Sequence, residues 1–189
     1  GTLRAGDWNR DRGSQGVLAD DGTFIDISNF AGGGSSQATG NGSLTTTFAS
    51  NNQFAGNSFD IEAFTALDIV GWDGNFATAG QTGTVEIWWR VGTANGFEGN
   101  PAGWNFLGEC TVNTNASGTA THCDVGAALS MDAGDLYGIY FIVTSYPTPT
   151  LRYTNGQQHF TNAEADIYTW RGCSDTMWNC TFFPRMWNG

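Results

Sequence analysis

The residues that could do chemistry in this chain are few, because its two histidines stand apart from any nucleophile. His122 lies beside Cys123, and His159 closes the loop of residues 155–159. A serine or cysteine nucleophile needs a histidine within hydrogen-bond reach, and neither histidine lies in a recognisable nucleophile motif. The sequence also contains no phosphate-binding loop, no dinucleotide fingerprint and no C-x-x-C pair. We therefore predict no catalytic residues, no cofactor and no enzymatic activity.

One segment does place a carboxylate beside an aromatic ring, as a glycosidase or a sugar-binding surface would. Glu86 and Trp88 are two residues apart, so an extended strand puts both on one face. Glycosidases work with a pair of carboxyl groups, and no second acid follows Glu86 two residues on. An ordinary exposed strand face is therefore favoured over carbohydrate cleavage at Glu86.

The chain contains eight tryptophans, and two of them are predicted to lie outside the core. Trp88 is expected on the outward face of a strand and Trp178 in a loop. Exposed aromatic rings are typical both of surfaces that stack on sugars and of contacts with a neighbouring subunit. Both interpretations stay open, so polysaccharide is a candidate partner beside self-association.

Two further patterns resemble binding or modification sites only weakly. Asp7, Asn9 and Asp11 alternate like the first ligands of a calcium loop, but Leu18 stands where the bidentate glutamate belongs, so we predict no metal site. Three N-x-[ST] triplets make candidate glycosylation sites, although such triplets are frequent by chance. Their asparagines are Asn41, Asn115 and Asn179.

The four cysteines form two close pairs, Cys110 with Cys123 and Cys173 with Cys180. Neither pair has the short C-x2-C spacing of a zinc site, so two disulfides are the better interpretation. The first would clamp a hairpin whose turn is Asn115 to Gly118. Disulfides of this kind persist in oxidising surroundings, which predicts an extracellular or cell-surface protein.

Charge and composition exclude several classes of partner. The 189 residues carry a net charge of −11, and all seven cations are arginine. Such a field repels nucleic acid and anionic membrane surfaces. No window approaches the roughly 18 to 20 apolar residues of a membrane-spanning helix, so we predict no membrane insertion. The opening Gly1-Thr2 is interpreted as that of a processed form.

The elements that must position these residues are predicted to be strands. Residues 1–43 read as an N-terminal extension with a Gly/Ser-rich linker, and residues 44–189 as an antiparallel, jelly-roll-like β-sandwich in an all-β fold. Val85, Ile87, Trp89 and Val91 share one face and are expected in the core. Residues 136–143 are apolar on both faces and predict the centre of a sheet. The predicted strands are 44–48, 57–64, 67–72, 83–91, 104–113, 118–125, 136–144, 150–154, 164–170 and 182–187.

Motifs across the second region resemble a domain found in many exported bacterial proteins, largely of unknown function. They include the segments 44–48, 56–61, 85–92 and 96–104, followed by 133–138, 153–156 and 183–189. The resemblance covers residues 44–189 and implies a secreted or surface β-sandwich. It carries no catalytic residues.

In sequences that the chain resembles, the final motif runs on into a closing strand, whereas this chain stops at Gly189. A sandwich without that strand exposes an edge that recruits another strand. The best donor in the extension is 23–27, with Phe24, Ile25 and Ile27 as contact residues and Ile25 and Ile27 facing inward. Donation to a neighbour, fold-back within one chain and simple truncation all stay open. The predicted function is a filament, sheath or matrix subunit that forms a homopolymer, with a glycan-binding or adhesive module as the alternative.

Overall fold

The computed structural model describes residues 42–189 in full and, ahead of them, the backbone of two short strands. Contacts divide the chain into two compact units, Gly1–Ser35 and Ser36–Gly189. In the first unit, β1 (Gly16–Leu18) pairs with β2 (Phe24–Asp26) as an antiparallel hairpin in which Val17 lies opposite Ile25. Of the predicted donor segment, Phe24 and Ile25 lie in β2.

Five residues singled out in the sequence lie outside the described part of the chain. They are Asp7, Asn9, Asp11, Ile27 and Asn41. The weak calcium pattern, one inward donor residue and the first sequon therefore stay predictions.

The second unit is an all-β, antiparallel sandwich, as predicted, and no helix occurs within residues 42–189. Helices long and apolar enough to cross a membrane are consequently absent from that range. Its strands are β3 (Asn52–Phe54), β4 (Gly56–Ala63), β5 (Leu67–Ile69), β6 (Trp72–Asn75), β7 (Thr82–Val91), β8 (Asn105–Asn113), β9 (Ala120–Cys123), β10 (Leu129–Met131), β11 (Leu136–Val143), β12 (Leu151–Asn155), β13 (His159–Thr161), β14 (Ala165–Cys173) and β15 (Arg185–Met186).

The first layer is a six-stranded sheet in the order β13-β14-β4-β11-β7-β8. The prediction that residues 136–143 form the sheet centre is confirmed, since β11 pairs with β4 on one side and with β7 on the other. Both faces of β11 are covered. Ile139 and Phe141 face the sandwich core, while Tyr140 and Ile142 face a second, smaller cluster.

The second layer is made of three small sheets, namely β6 with β9, the three strands β15-β12-β3, and β5 with β10. A bridge between Phe76 and Leu151 connects the first two of these groups. The core between the layers contains Phe59, Ile87 and Phe141, each at most 1% exposed. Burying each such side chain stabilises the fold by roughly 1.5–3 kcal/mol.

Several predicted strand positions were wrong. Residues 44–48 form no strand, because within them only Thr46 bonds to the main chain of another segment. Of the predicted strand 182–187, only Arg185–Met186 forms a strand. The short strands β3, β10 and β13 were not predicted. Val85 and Ile87 are fully buried as expected, but Val91, the last residue of β7, is 69% exposed.

Both predicted disulfides are present. Cys110 lies in β8 and Cys123 in β9, so the first bond ties the six-stranded sheet to the second layer. The second joins Cys173, at the end of β14, to Cys180 and closes a short loop. The two bonds are typical of proteins that fold in an oxidising environment.

Candidate functional site

One concave feature of the described residues is an apolar groove lined by both layers of the sandwich. The groove has a volume of about 290 Å³ and is bounded by residues 42–45, by residues 67–73 and by the inner faces of β4 and β14. Phe59, Ile61 and Ile167 form part of its lining. Period-two alternation places these side chains on the core face of their strands, which is why the groove is apolar.

The last residues of the chain lie beside the groove. The N–H of Thr46 donates to the C=O of Gly189 (2.8 Å), and the N–H of Asn75 donates to the C=O of Asn188 (3.1 Å). The last residues of the chain therefore lie between residues 44–46 and β6. Trp187 and Gly189 also line the groove, so the groove adjoins the end of the chain.

The edge of β6 that faces away from β9 is contacted by the last residues of the chain. Strand β6 pairs with β9 along its other edge. Among residues 42–189, Asn75 is the position in β6 whose main chain bonds across the groove-facing edge. At Gly189 a Cβ atom would come within 2.3 Å of the carbonyl oxygen of Asp73, so glycine permits this close approach.

One polar group in the groove wall has no partner. Trp72 is 6% exposed, and its Nε1–H lacks an acceptor in the described part of the chain. An unpaired buried donor costs about 1–3 kcal/mol. Apolar cavities of roughly 150 Å³ bind a benzene-sized ligand, so a cavity of 290 Å³ has room for more than one apolar side chain. The groove thus suits a segment that brings apolar side chains together with carbonyl oxygens.

Three exposed carboxylates, those of Asp68, Asp73 and Glu164, lie among the groove-lining residues. Asp68 accepts a hydrogen bond from the Ser130 hydroxyl (2.5 Å), and Asp73 contacts His122 Nδ1 at 3.0 Å. No arginine within residues 42–189 forms a salt bridge to any of the three. The mouth of the groove is therefore negatively charged.

On the opposite face of the six-stranded sheet, two buried acids hold the loop of residues 92–104. Asp60 accepts hydrogen bonds from the N–H of Ala94 and the hydroxyl of Thr93, both at 2.6 Å. Burial raises the pKa of the Asp60 carboxyl above its ordinary value of 3.8, and the Glu98 charge acts in the same direction. These contacts lie within the fold and leave Asp60 only 2% exposed, so its role is structural.

Glu98, the second acid, is 3% exposed and lies in the loop itself. Its oxygens accept hydrogen bonds from the Ser58 hydroxyl (3.1 Å) and the N–H of Gly96 (2.8 Å). Arg171 Nε lies 3.3 Å from Glu98 Oε1 and supplies the opposite charge. The loop is thereby fastened to β4 and β14.

The two tryptophans predicted as sugar-stacking residues are brought together. Trp88 and Trp178 meet edge to face, with ring centroids 5.3 Å apart and planes at 77°. Trp178 stacks one face on Tyr140 at 5.0 Å, while Trp88 lies 5.0 Å from the half-exposed Phe106. Because their planes are nearly perpendicular, the two indoles do not form one flat platform.

Trp178 takes a backbone conformation that is unusual for its size. Its φ is +61°, and its N–H donates to the Tyr140 hydroxyl (3.2 Å). Burial raises the pKa of Tyr140 to about 12. The Cys173–Cys180 disulfide closes the loop that carries Trp178, so this bond helps to hold the strained residue over the sheet.

The structure places a second acid, Glu109, beside Glu86. The residue pattern along a single strand did not predict this acid. Glu109 in β8 is the cross-strand partner of Glu86 in β7. Paired residues on an antiparallel sheet point to the same face, with Cβ atoms roughly 4.5–5.5 Å apart. Glu86 itself accepts a hydrogen bond from Trp88 Nε1 (2.9 Å). The strand register alone could have revealed this pair.

Neither histidine lies next to a nucleophile within residues 42–189. His159 Nε2 is 2.7 Å from Asp166, and His122 contacts Asp73. Burial pushes the pKa of Asp166 up, but hydrogen bonds, including that from His159, outweigh it and lower that pKa. Metal-ligand clusters of three His, Cys, Asp or Glu residues are also absent from this range.

The two sequons in the described range lie at the surface. Asn115 is exposed in the connection between β8 and β9, and its side-chain N–H donates to the C=O of Ala120 (2.6 Å). Asn179 is exposed in the loop closed by the second disulfide. Both asparagines stay candidate glycosylation sites.

Comparison with known proteins adds no family to this description. Neither the scan against protein-family models nor the search of curated proteins found a match. The resemblance to exported bacterial β-sandwich domains therefore stays a prediction.

Proposed function

We propose that this chain is a non-catalytic structural subunit of an extracellular filament, sheath or matrix, of bacterial origin, built by β-strand addition between copies. The observation that carries this proposal is the groove. It combines an apolar lining with the unpartnered Nε1–H of Trp72, one of its lining residues. An added strand supplies what each of these lacks: apolar side chains for the lining and a carbonyl acceptor for the Nε1–H.

Strand addition also accounts for the affinity between copies of the chain. A strand of about five residues offers several main-chain hydrogen bonds, each with a net value of roughly 1 kcal/mol. Apolar side chains entering the groove add roughly 25 cal/mol per Å² of surface removed from water. A head-to-tail contact of this kind repeats from copy to copy and yields an open polymer.

The extracellular assignment is supported by the two disulfides and by the surface charge. Covalent cross-links of this kind suit a durable protein in oxidising surroundings. The net charge of −11 keeps single copies soluble and makes nucleic acid an unfavourable partner.

The test is a substitution that fills the groove with a larger side chain. Ala165 lines the groove and is 7% exposed, so Ala165→Trp fills it without reaching the outer surface. Ala102→Trp, at an exposed position in the 92–104 loop, is the matched control. Sedimentation and negative-stain microscopy should show polymers for the native chain and the control, and monomers for Ala165→Trp with an unchanged far-ultraviolet spectrum. Polymers of Ala165→Trp, or a native chain that stays monomeric at high concentration, would contradict the proposal.

A second candidate is a glycan-binding module on the opposite face. It is favoured by the half-exposed Phe106 beside Trp88 and by the adjacent acceptors of Glu86 and Glu109. Titration with a panel of neutral polysaccharides should change tryptophan fluorescence, and Phe106→Ala should remove the response. Phe183→Ala, equally exposed elsewhere, is the control. A panel without any response removes this candidate.

A further inference from the structure

We propose that the outer face of β7 and β8 binds an amine-bearing polysaccharide, a polymer of sugars with free amino groups, along a strip of three cross-strand pairs. The pairs that form this strip are Thr84–Thr111, Glu86–Glu109 and Trp88–Phe106. The inference rests on the second candidate function, glycan binding, and names the class of glycan. It is independent of assembly through the groove, because no residue of the strip lines the groove.

Strand register places the three pairs in one line. Their members in β7 are two residues apart, so Thr84, Glu86 and Trp88 point to the same face. Val85 and Ile87, which alternate with them, are fully buried in the core. The strip therefore faces away from the core, and each of its members is at least partly exposed. It extends for about 14 Å between its first and last pair, so the ligand that covers it is an oligomer and not a single sugar.

The acidic pair in the middle of the strip has no cation beside it within residues 42–189. The salt bridges of that range involve other acids. Glu86 accepts one hydrogen bond, from Trp88 Nε1 (2.9 Å), and Glu109 is exposed. Carboxylates directly opposite each other on a sheet are destabilising. A bound ammonium group would relieve their repulsion, which a neutral sugar cannot do.

The one cation that β7 and β8 carry is directed elsewhere. Arg90 in β7 donates to the C=O of Thr93 (2.8 Å), and its guanidinium lies 3.5 Å from the centroid of the Phe97 ring. Both contacts hold Arg90 on the loop of residues 92–104. The charge complement of the acidic pair is therefore assigned to a ligand.

The aromatic pair at one end of the strip suits a single sugar ring. Phe106 is 50% exposed, and its ring centroid lies 5.0 Å from that of Trp88 with planes at 57°. Two rings tilted in this way offer one free face and no broad platform. An aromatic face also attracts an ammonium group. A ring face next to two carboxylates therefore favours an amino sugar over a neutral one.

The pair at the other end of the strip is polar and uncharged. Thr111 is exposed and Thr84 is partly exposed. A hydroxyl group both donates and accepts hydrogen bonds, so these side chains match the hydroxyl groups of a sugar. A lysine-bearing peptide would use the acidic pair, but its main chain would pair with a strand edge and would not lie across this face. The hydroxyl pair thus favours a polysaccharide over a peptide.

The experiment compares two tetramers of equal length, one of glucosamine and one of N-acetylglucosamine. They differ in that acetylation removes the positive charge of each amine. Isothermal titration calorimetry at about pH 5.5, above the ordinary pKa of glutamate, measures the affinity of the full chain for each. The native chain should bind the glucosamine tetramer at least tenfold more tightly. Added salt should weaken that binding, because it screens exposed charges.

Substitutions locate the binding on the strip. Glu86→Gln with Glu109→Gln should reduce the affinity for the glucosamine tetramer at least tenfold and leave that for the acetylated tetramer unchanged. Glutamine keeps an oxygen for the Nε1–H of Trp88, so the fold is retained. The matched control is Asp132→Asn with Glu164→Gln, which removes the same charge at exposed positions outside the strip and should bind as the native chain does.

The outcomes separate this inference from glycan binding in general. Equal affinity for the two tetramers, with loss of both on Phe106→Ala, would overturn the preference for amines and leave the glycan-binding candidate in place. Equal weakening by the control would show that net charge and not the strip attracts the amine, which also overturns the inference. Tetralysine bound as tightly as the glucosamine tetramer would assign the strip to cationic peptides instead. Binding of neither tetramer, with no response to neutral polysaccharides, would remove the glycan-binding candidate itself.

Discussion

At the scale of single residues, the acids of this chain divide into buried structural groups and exposed rim groups. Asp60 and Glu98 are almost completely buried, and each accepts hydrogen bonds from the 92–104 loop. Asp68 and Glu164 are exposed at the groove. The same residue type thus fastens a loop in one place and carries an exposed charge in the other, because burial decides whether a carboxylate is solvated.

The two perturbed aspartates predict opposite pH effects on stability. The folded-state pKa of Asp60 is raised, so its contribution to the free energy of unfolding is full below pH 3.8 and is lost as pH rises through the folded pKa. The pKa of Asp166 is lowered, so its contribution is present above pH 3.8 and is lost as pH falls through the folded pKa.

Urea unfolding at pH 3, 5 and 7 tests both predicted directions of the pH dependence. The difference in unfolding free energy between the native chain and Asp60→Asn should grow as pH falls. The corresponding difference for Asp166→Asn should shrink. Parallel pH profiles for the two variants would show that these pKa directions are wrong.

At the scale of elements, the two disulfides stabilise different contacts. Cys110–Cys123 joins the two layers, whereas Cys173–Cys180 closes the loop that places Trp178 on Tyr140. Both bonds close short loops, so their entropic contributions are similar. They differ in which packing they hold in place.

Removing either disulfide should therefore lower the free energy of unfolding by a similar amount. The two variants should differ in their near-ultraviolet spectra. Cys173→Ala with Cys180→Ala should lower the free energy of unfolding by about 2.5 kcal/mol, and Cys110→Ala with Cys123→Ala by about 3 kcal/mol. The first variant should also lose near-ultraviolet circular dichroism from the Trp178–Tyr140–Trp88 cluster. Equal loss of that signal in the second variant would mean that the loop closure has no specific role in positioning Trp178.

At the scale of the whole molecule, the sandwich is closed along most of its layers and open at the groove. The six-stranded sheet has both faces covered at its centre, while an apolar groove lies beside β6. A partner that binds the folded state at this place stabilises it by mass action.

Thermal stability should consequently depend on protein concentration. In the concentration range where grooves are filled, each tenfold increase is worth about 1.4 kcal/mol, or roughly 4 °C in Tm for a chain of this size. Ala165→Trp should show a Tm independent of concentration. Differential scanning calorimetry across two decades checks this, and a concentration-independent native Tm would count against assembly through the groove.

The sequence by itself determined the features that depend on near neighbours along the chain. Alternating apolar residues predicted β7 and the core positions Val85 and Ile87, and two-sided hydrophobicity predicted β11 at the sheet centre. Cysteine spacing predicted both disulfides. These predictions succeeded because strand geometry has a period of two residues and short loops close easily.

Only the tertiary structure decided features that depend on register between distant segments. It placed Glu109 opposite Glu86, turned Trp178 edge-on to Trp88 and left residues 44–48 without a strand partner. The groove likewise depends on where residues 42–45, β6 and β14 meet. Side-chain pairing across strands changes with a shift of one residue, and nothing in the local pattern of one strand reports the register of its neighbour.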